Sequence, residues 1–337
     1  MAGNSIATKE LLSLCRNIDK YSIEGAKKSI TELLSAGANI NGTMIDDTQV
    51  YTPLFILCEQ GAPPSIIQFI LEMGADPNQK AGDEENFTAL SYLTNDIYMP
   101  YLFFNRYNRE RTSTIKEESD NYKHTIIQIL INTPSLDPNV LDAEATLCMH
   151  LFSGYPDILY DFIIKRQPSI ATLNYLNGDY RTLLILCCRA ITALKQRLRG
   201  RERNVSFYST IHKMELYARV VELLCRIDGI HINVIDAQKK TALDYIRDGL
   251  PDTNIHLMES QRDKNHPTGI LTYVEQLLVE RGAYTYKELQ LQKTPIIKRK
   301  LGNNNMEGGK KKRKTRRTVN KIHNGHTRIR PRSYDSR

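Results

Sequence analysis

No stretch of this chain approaches the ~18 consecutive apolar residues that a membrane-crossing helix requires. Apolar residues nevertheless fill 41% of the 337 positions, which is enough for a core. No membrane partner is expected. The opening MAGNSIATKELL has no charged-then-apolar leader, and its Gly stands at position 3, so neither secretion nor N-myristoylation is expected. Cysteine is scarce too: there are six, with no C-x-x-C among them. With no such motif, a reducing, intracellular compartment is expected.

Catalytic patterning is also missing. The eight histidines are scattered, and none has a metal-ligand spacing to cysteine. Cys148 and His150 are two apart, which on a helix points them to different faces. His323 and His326 lie where no folding pattern exists. Gly309-Lys310-Lys311 falls short of a phosphate-binding loop, because Asn304 and Lys311 stand where Gly and Ser/Thr are needed. A Ser/His/Asp arrangement is recognised by geometry rather than spacing and leaves no trace here. The chain therefore reads as non-enzymatic, with no cofactor or metal.

What is present is a split in charge. From Lys298 to Arg337 there are fifteen Lys/Arg against Glu307 and Asp335, a balance of +13. The whole chain carries +8, so the preceding 297 residues carry −5. A mildly acidic body precedes a strongly basic end.

The body is organised around Thr52 to Asn78. Thr52 is a good N-cap, and Pro53 follows at the first helical position, where a missing N–H costs nothing. Leu54, Leu57 and Cys58 make the apolar stripe of a short helix. Gly61 supplies a stop, Pro63-Pro64-Ser65 restarts the chain, and Ile66, Ile67, Ile70 and Leu71 stripe a second helix that Gly74 closes. Neither helix can bury its stripe alone, so the unit must stack on relatives.

Thr52-Pro53-Leu54 followed by Gly74-Ala75-Asp76-Pro77-Asn78 resembles the ankyrin repeat, with Phe55 in place of the usual His. Relatives follow in register. The opening Thr recurs at Thr52, Thr88, Thr146, Thr182 and Thr241, at intervals of 36, 58, 36 and 59. The shorter interval is near the ~33-residue ankyrin period. Residues 6–36 form a further helix pair that ends in Gly37-Ala38-Asn39-Ile40-Asn41. The resemblance implies an all-α, ankyrin-type helix-turn-helix solenoid of about six repeats. Residues 1–41 would be its N-terminal capping repeat and 42–292 the array, followed by a disordered basic tail, 293–337.

Units Thr88–Asn139 and Thr182–Asn233 are lengthened relative to Thr52–Asn78 and Thr146–Asn174, so insertions are expected between the two helices of alternate units, near 95–122, 194–216 and 247–268. The first is aromatic (Tyr98, Tyr101, Phe103, Phe104, Tyr107) and is expected to pack on the array. The second reads as a helical hairpin around Gly200, with Lys195, Arg197, Arg199, Arg201 and Arg203 as a solvated tip or a patch for phosphate or an acidic protein surface. The third reads as a loop, and 285–292 as a closing helix.

The resemblance implies a protein partner, bound through the finger loops between repeats and the adjacent first helices. The loops carry Asp46, Asp47, Asp83, Glu84, Glu85, Asp142, Glu144, Asp179 and Asp236 against Lys80, Arg181, Lys239 and Lys240. With Tyr51, these acidic residues are the candidate contacts. Two readings stand side by side: Asp142 and Asp236, each three after an Asn, are turn-forming carboxylates that brace loop backbone, or the acids form an edge that steers a basic partner. The scaffold is expected to be monomeric.

In the tail, Lys298, Arg299 and Lys300, then Lys310, Lys311, Lys312, Arg313, Lys314, Arg316 and Arg317, resemble a bipartite nuclear-import signal. The same density suits nucleic acid through counterion release, or a solvated tail. The alternative function is thus nucleic-acid association through this segment, and the expected location is the cytoplasm or nucleus of a host cell. A degenerate array ending in GGKKKRKTRR also resembles proteins of large nucleocytoplasmic DNA viruses.

Overall fold

A computed structural model describes residues 5–46, 49–82, 87–94, 113–142, 145–198, 205–250 and 267–293. The aromatic cluster at 98–107, the hairpin tip at 199–204, the segment 251–266 and the basic tail lie outside the described residues.

Five buried threonines set the start of each later unit. Thr52, Thr88, Thr146, Thr182 and Thr241 each accept the N–H three residues on, at 3.2–3.4 Å. Each thus satisfies one of the N–H groups that a helix start leaves orphaned. The helices that follow are α3 (Pro53–Glu59), α5 (Ala89–Thr94), α7 (Leu147–Gly154), α10 (Leu183–Leu198) and α12 (Ala242–Gly249); α1 (Ser5–Arg16) precedes them. These six form the inner row. The outer row is α2 (Ile23–Ser35), α4 (Pro64–Glu72), α6 (Ser113–Asn132), α8 (Pro156–Arg166), α11 (Val205–Arg226) and α13 (Pro267–Glu280). Each inner helix packs on its own outer partner, and each of the first five packs on the next inner helix, which gives six stacked pairs among the described residues. A single turn, α9 (Ile170–Leu173), follows α8, and α14 (Tyr286–Lys293) closes the row.

The closing turns explain why the stack has one register. Gly37, Gly74, Gly229 and Gly282 adopt positive φ (77–98°), which a Cβ would strain. Beyond each turn stands an asparagine that bonds to the next unit. Asn41 Oδ1 accepts from Asp76 N at 2.8 Å while its amide donates to Gly74 O at 3.1 Å. Asn78 does the same with Asp137 N (2.7 Å) and Ser135 O (2.8 Å). Asn174 pairs with His231 N and Gly229 O, and Asn233 with Tyr284 N and Gly282 O. Asn139 departs slightly: in the fourth unit α8 ends at Gln167, itself left-handed, and the extra turn α9 offers Ser169 N and the Thr172 hydroxyl instead. Five rungs therefore join six units.

The core is continuous along the array, from Leu11 to Leu278. All six cysteines are buried free thiols within it. Burial pushes Cys15, Cys58 and Cys148 up to about 12 and Cys225 up to about 11, so they remain protonated, small apolar side chains. Among the described residues no helix is long and apolar enough to cross a membrane.

Candidate partner-binding face

The fingers are short, braced turns. The first is an antiparallel hairpin, β1 (Met44–Asp46) with β2 (Gln49–Tyr51); the third is a shorter one, β3 (Leu141–Asp142) with β4 (Ala145–Thr146). The second finger joins the first through a bridge between Val50 and Gly82, with two backbone bonds of 2.7 and 2.9 Å. Phe55, at the position where the repeat usually has His, supports this pair differently. It packs at 4.9 Å on Tyr92 and, with Ala81 and Phe87, forms a small aromatic core beneath both fingers. Packing has replaced the hydrogen-bonded brace.

The two C-terminal fingers share one turn. Asn177 Oδ1 accepts from Asp179 N and Arg181 N, and Asp236 Oδ1 accepts from Gln238 N and Lys240 N. This side-chain mimic of a backbone turn forces the fourth residue into the left-handed region: Tyr180 has φ 58° and Lys239 φ 59°. Arg181 links them, donating from Nε to Asp236 Oδ2 at 3.1 Å while its Nη1 pairs with Asp179. The Tyr245 hydroxyl also donates to Asp236 Oδ2 at 2.6 Å, and Ala237 N donates to Asp179 O at 3.0 Å. Burial raises the Asp236 carboxyl, but the donors from Tyr245, Lys240, Arg181 and Gln238 outweigh it and hold it below the ordinary value.

The carboxylates proposed from sequence separate on this geometry. Asp142 and Asp236 are buried, not surface groups. Asp142 accepts from Thr88 N and the Ser91 hydroxyl and lies 2.7 Å from His150 Nε2, so it is a brace between the third and fourth units. Asp179 is exposed but already paired with Arg181. Tyr51 is half-buried, with the Arg16 guanidinium 4.8 Å over its ring. Asp47, Asp83, Glu84, Glu85 and Glu144 lie outside the described residues, as does the side chain of Asp46. So do Lys298, Arg299, Lys300, Lys310, Lys311, Lys312, Arg313, Lys314, Arg316 and Arg317.

Sequence reasoning passed over the apolar fingertips. Ile45 is 71% exposed and Tyr180 61%, and Leu141 and Leu176 are also exposed. All four stand in finger loops, which are too short to give a periodic signal.

The Ser91, Asp142 and His150 side chains do not form a nucleophile. Serine and histidine each bond the carboxylate, which sits between them, so the imidazole is not placed to take the serine proton. Among the described residues no three His, Cys, Asp or Glu side chains could hold a metal ion.

A family model described as Ankyrin repeat matches residues 51–79. Among solved structures, an ankyrin repeat domain from Acinetobacter baumannii AYE is 16% identical, over 82% of this chain and 98% of that one, with a TM-score of 0.45. The ankyrin repeat domain of Bcl-3, a member of the IkappaB protein family, is 9% identical over 70% of this chain and 92% of that one, with a TM-score of 0.32. No curated protein matches. The chain carries an ankyrin repeat, and its described residues form an ankyrin-type solenoid. Ankyrin repeats are in general non-enzymatic protein-binding modules.

Proposed function

We propose that this protein is a scaffold or adaptor that holds another protein against its fingers and first helices. The observation that carries this reading is the exposure of Ile45, Leu141, Leu176 and Tyr180 on loops whose bases are rigidly braced. Isolated exposed apolar residues need no explanation by themselves. Four of them on three of the five fingers, on preorganised backbone, are the anchors a binding face needs, because little ordering entropy remains to be lost. The acidic finger residues divide accordingly: Asp142 and Asp236 serve the scaffold, while Asp46, Asp47, Asp83, Glu84, Glu85, Glu144 and Asp179 remain proposed contacts. Six buried thiols suit a reducing cell interior, cytoplasm or nucleus.

The test is affinity capture with the full chain and with an Ile45→Asp, Leu141→Asp variant. Loss of the specific partners from the variant supports the reading, and an unchanged set of partners overturns it. A second reading, nucleic-acid or import-receptor binding by residues 298–337, is favoured by their +13 charge. Deletion of that segment should then abolish steeply salt-dependent binding to an oligonucleotide.

A further inference from the structure

We infer that the first helix of the fifth unit, with the two fingers beside it, takes an acidic, extended segment of the partner protein. The inference rests on the partner-binding reading above and names the chemistry of the partner. Helix α10 is flanked by α7 and α12 and backed by α11, so among the described residues one long face has no helix packed on it. That face carries Arg189, Ala193, Gln196 and Arg197, all exposed, at the spacing that lines up one side of a helix. Neither arginine has a hydrogen bond or ion pair with any described residue.

The acids of the neighbouring fingers and helices are bonded to other groups. Asp179 is paired with Arg181, Asp236 is buried against Arg181 and Tyr245, and Asp248 is held by Lys240 at 2.6 Å. Asp244 accepts from Thr241 N and from Tyr286 N. Asp142 is taken by His150, Ser91 and Thr88. The side chains of Arg189 and Arg197, and of the exposed Lys239 in the last finger, are thus left without a partner among the described residues.

The finger that leads directly into α10 carries the exposed Tyr180 and Leu176. Tyr180 and Lys239 occupy left-handed backbone that a glycine would adopt without strain. Their side chains are carried at a cost in stability, which is expected where the side chain itself has work to do.

Spacing sets the form of the ligand. Eight helical residues separate Arg189 from Arg197, about 12 Å along the axis. An extended chain advances about 3.3 Å per residue, so two carboxylates roughly four residues apart would meet the two guanidinium groups. Arginine suits them, because its planar fork matches a carboxylate with two bonds. An apolar residue at one end of the segment would meet Tyr180 and Leu176. Two widely spaced guanidinium groups beside apolar anchors suit sparse carboxylates better than the dense phosphates of a nucleic acid.

The experiment uses the full chain and a fluorescent peptide with one Phe and two Glu four residues apart, its Gln-substituted twin, and a single-stranded oligothymidylate. Polarisation should show the Glu peptide binding, with about tenfold loss in its Gln twin and in an Arg189→Glu, Arg197→Glu variant. An Arg189→Gln, Arg197→Gln variant guards against misfolding and should lose binding in the same direction. Equal peptide binding by the wild type and both variants overturns the inference. So does an outcome in which the two arginines control oligothymidylate binding and not peptide binding. If Ile45→Asp, Leu141→Asp abolishes partner capture while the arginine variants keep it, the partner-binding reading stands and this inference falls. If neither set changes capture, both fall.

Discussion

The Asn78 side-chain oxygen accepts the Asp137 backbone N–H at 2.7 Å, fifty-nine residues away in sequence, while its amide donates to Ser135 O. The rung joins a unit of ordinary length to a lengthened one, and it has the same geometry as the rung between Asn41 and Asp76. An insertion between two helices thus leaves the turn that closes the unit in place, because that turn is held by the preceding unit.

Replacing Asn78 with Ala should orphan one donor and one acceptor at this junction and cost about 1–3 kcal/mol. Urea unfolding would measure it. Since a solenoid is stabilised through nearest-neighbour interfaces, the variant is also expected to lose cooperativity, with a broader transition than the wild type. A shift below a few tenths of a kcal/mol would show that water replaces both bonds.

Arg181 and Asp236 form the buried tie between the last two fingers. Asp236→Ala leaves the Arg181 guanidinium without its buried partner and frees two loop N–H groups, so about 3 kcal/mol of destabilisation is expected. Tyr180→Gly, one residue away, is expected to do the opposite. It relieves left-handed strain of about 1 kcal/mol, and should raise Tm while it weakens partner capture. The pair of variants separates the role of a brace from that of a contact.

Asp142 makes acid sensitivity predictable in sign. Burial raises its carboxyl, but the His150, Ser91 and Thr88 donors outweigh burial and leave it below the ordinary 3.8. A depressed native pKa contributes stability in full above the unfolded value and loses it as pH falls through the native one. Wild type should therefore be more stable than Asp142→Asn at neutral pH, and the gap should narrow below about pH 4. Unfolding curves across that range check it. A gap that widens on acidification would contradict the assignment.

The six thiols offer a test of burial. Each lies in the core, and the thiolate is the reactive form. Alkylation of the native protein at mildly alkaline pH should be slow at all six and become rapid in denaturant. Fast labelling of one cysteine in the native state would locate an opening in the stack.

Much of the scaffold was legible in the residues alone, for local reasons. A threonine ahead of an apolar stripe specifies a capped helix wherever it stands, and a glycine after the stripe specifies its stop. Repetition of those signals defined the stacked units, because a lone pair of short helices cannot bury its stripes. The lengthening of alternate units was likewise visible as spacing. The tertiary structure decided the fate of side chains whose partners are distant in sequence. Asn41, Asn78 and Asn233 read as turn residues, and only stacking showed that each clamps the next unit. Of Asp142, Asp179 and Asp236, the first and last, each three after an asparagine, were readable as turn braces, but none of their distant partners was. Contacts with Thr88 and His150, or with Arg181 and Tyr245, bury two of them and leave the third exposed beside its arginine. The chain by itself determined how each unit begins and ends; only the stacking of units determined which residues were left to meet a partner.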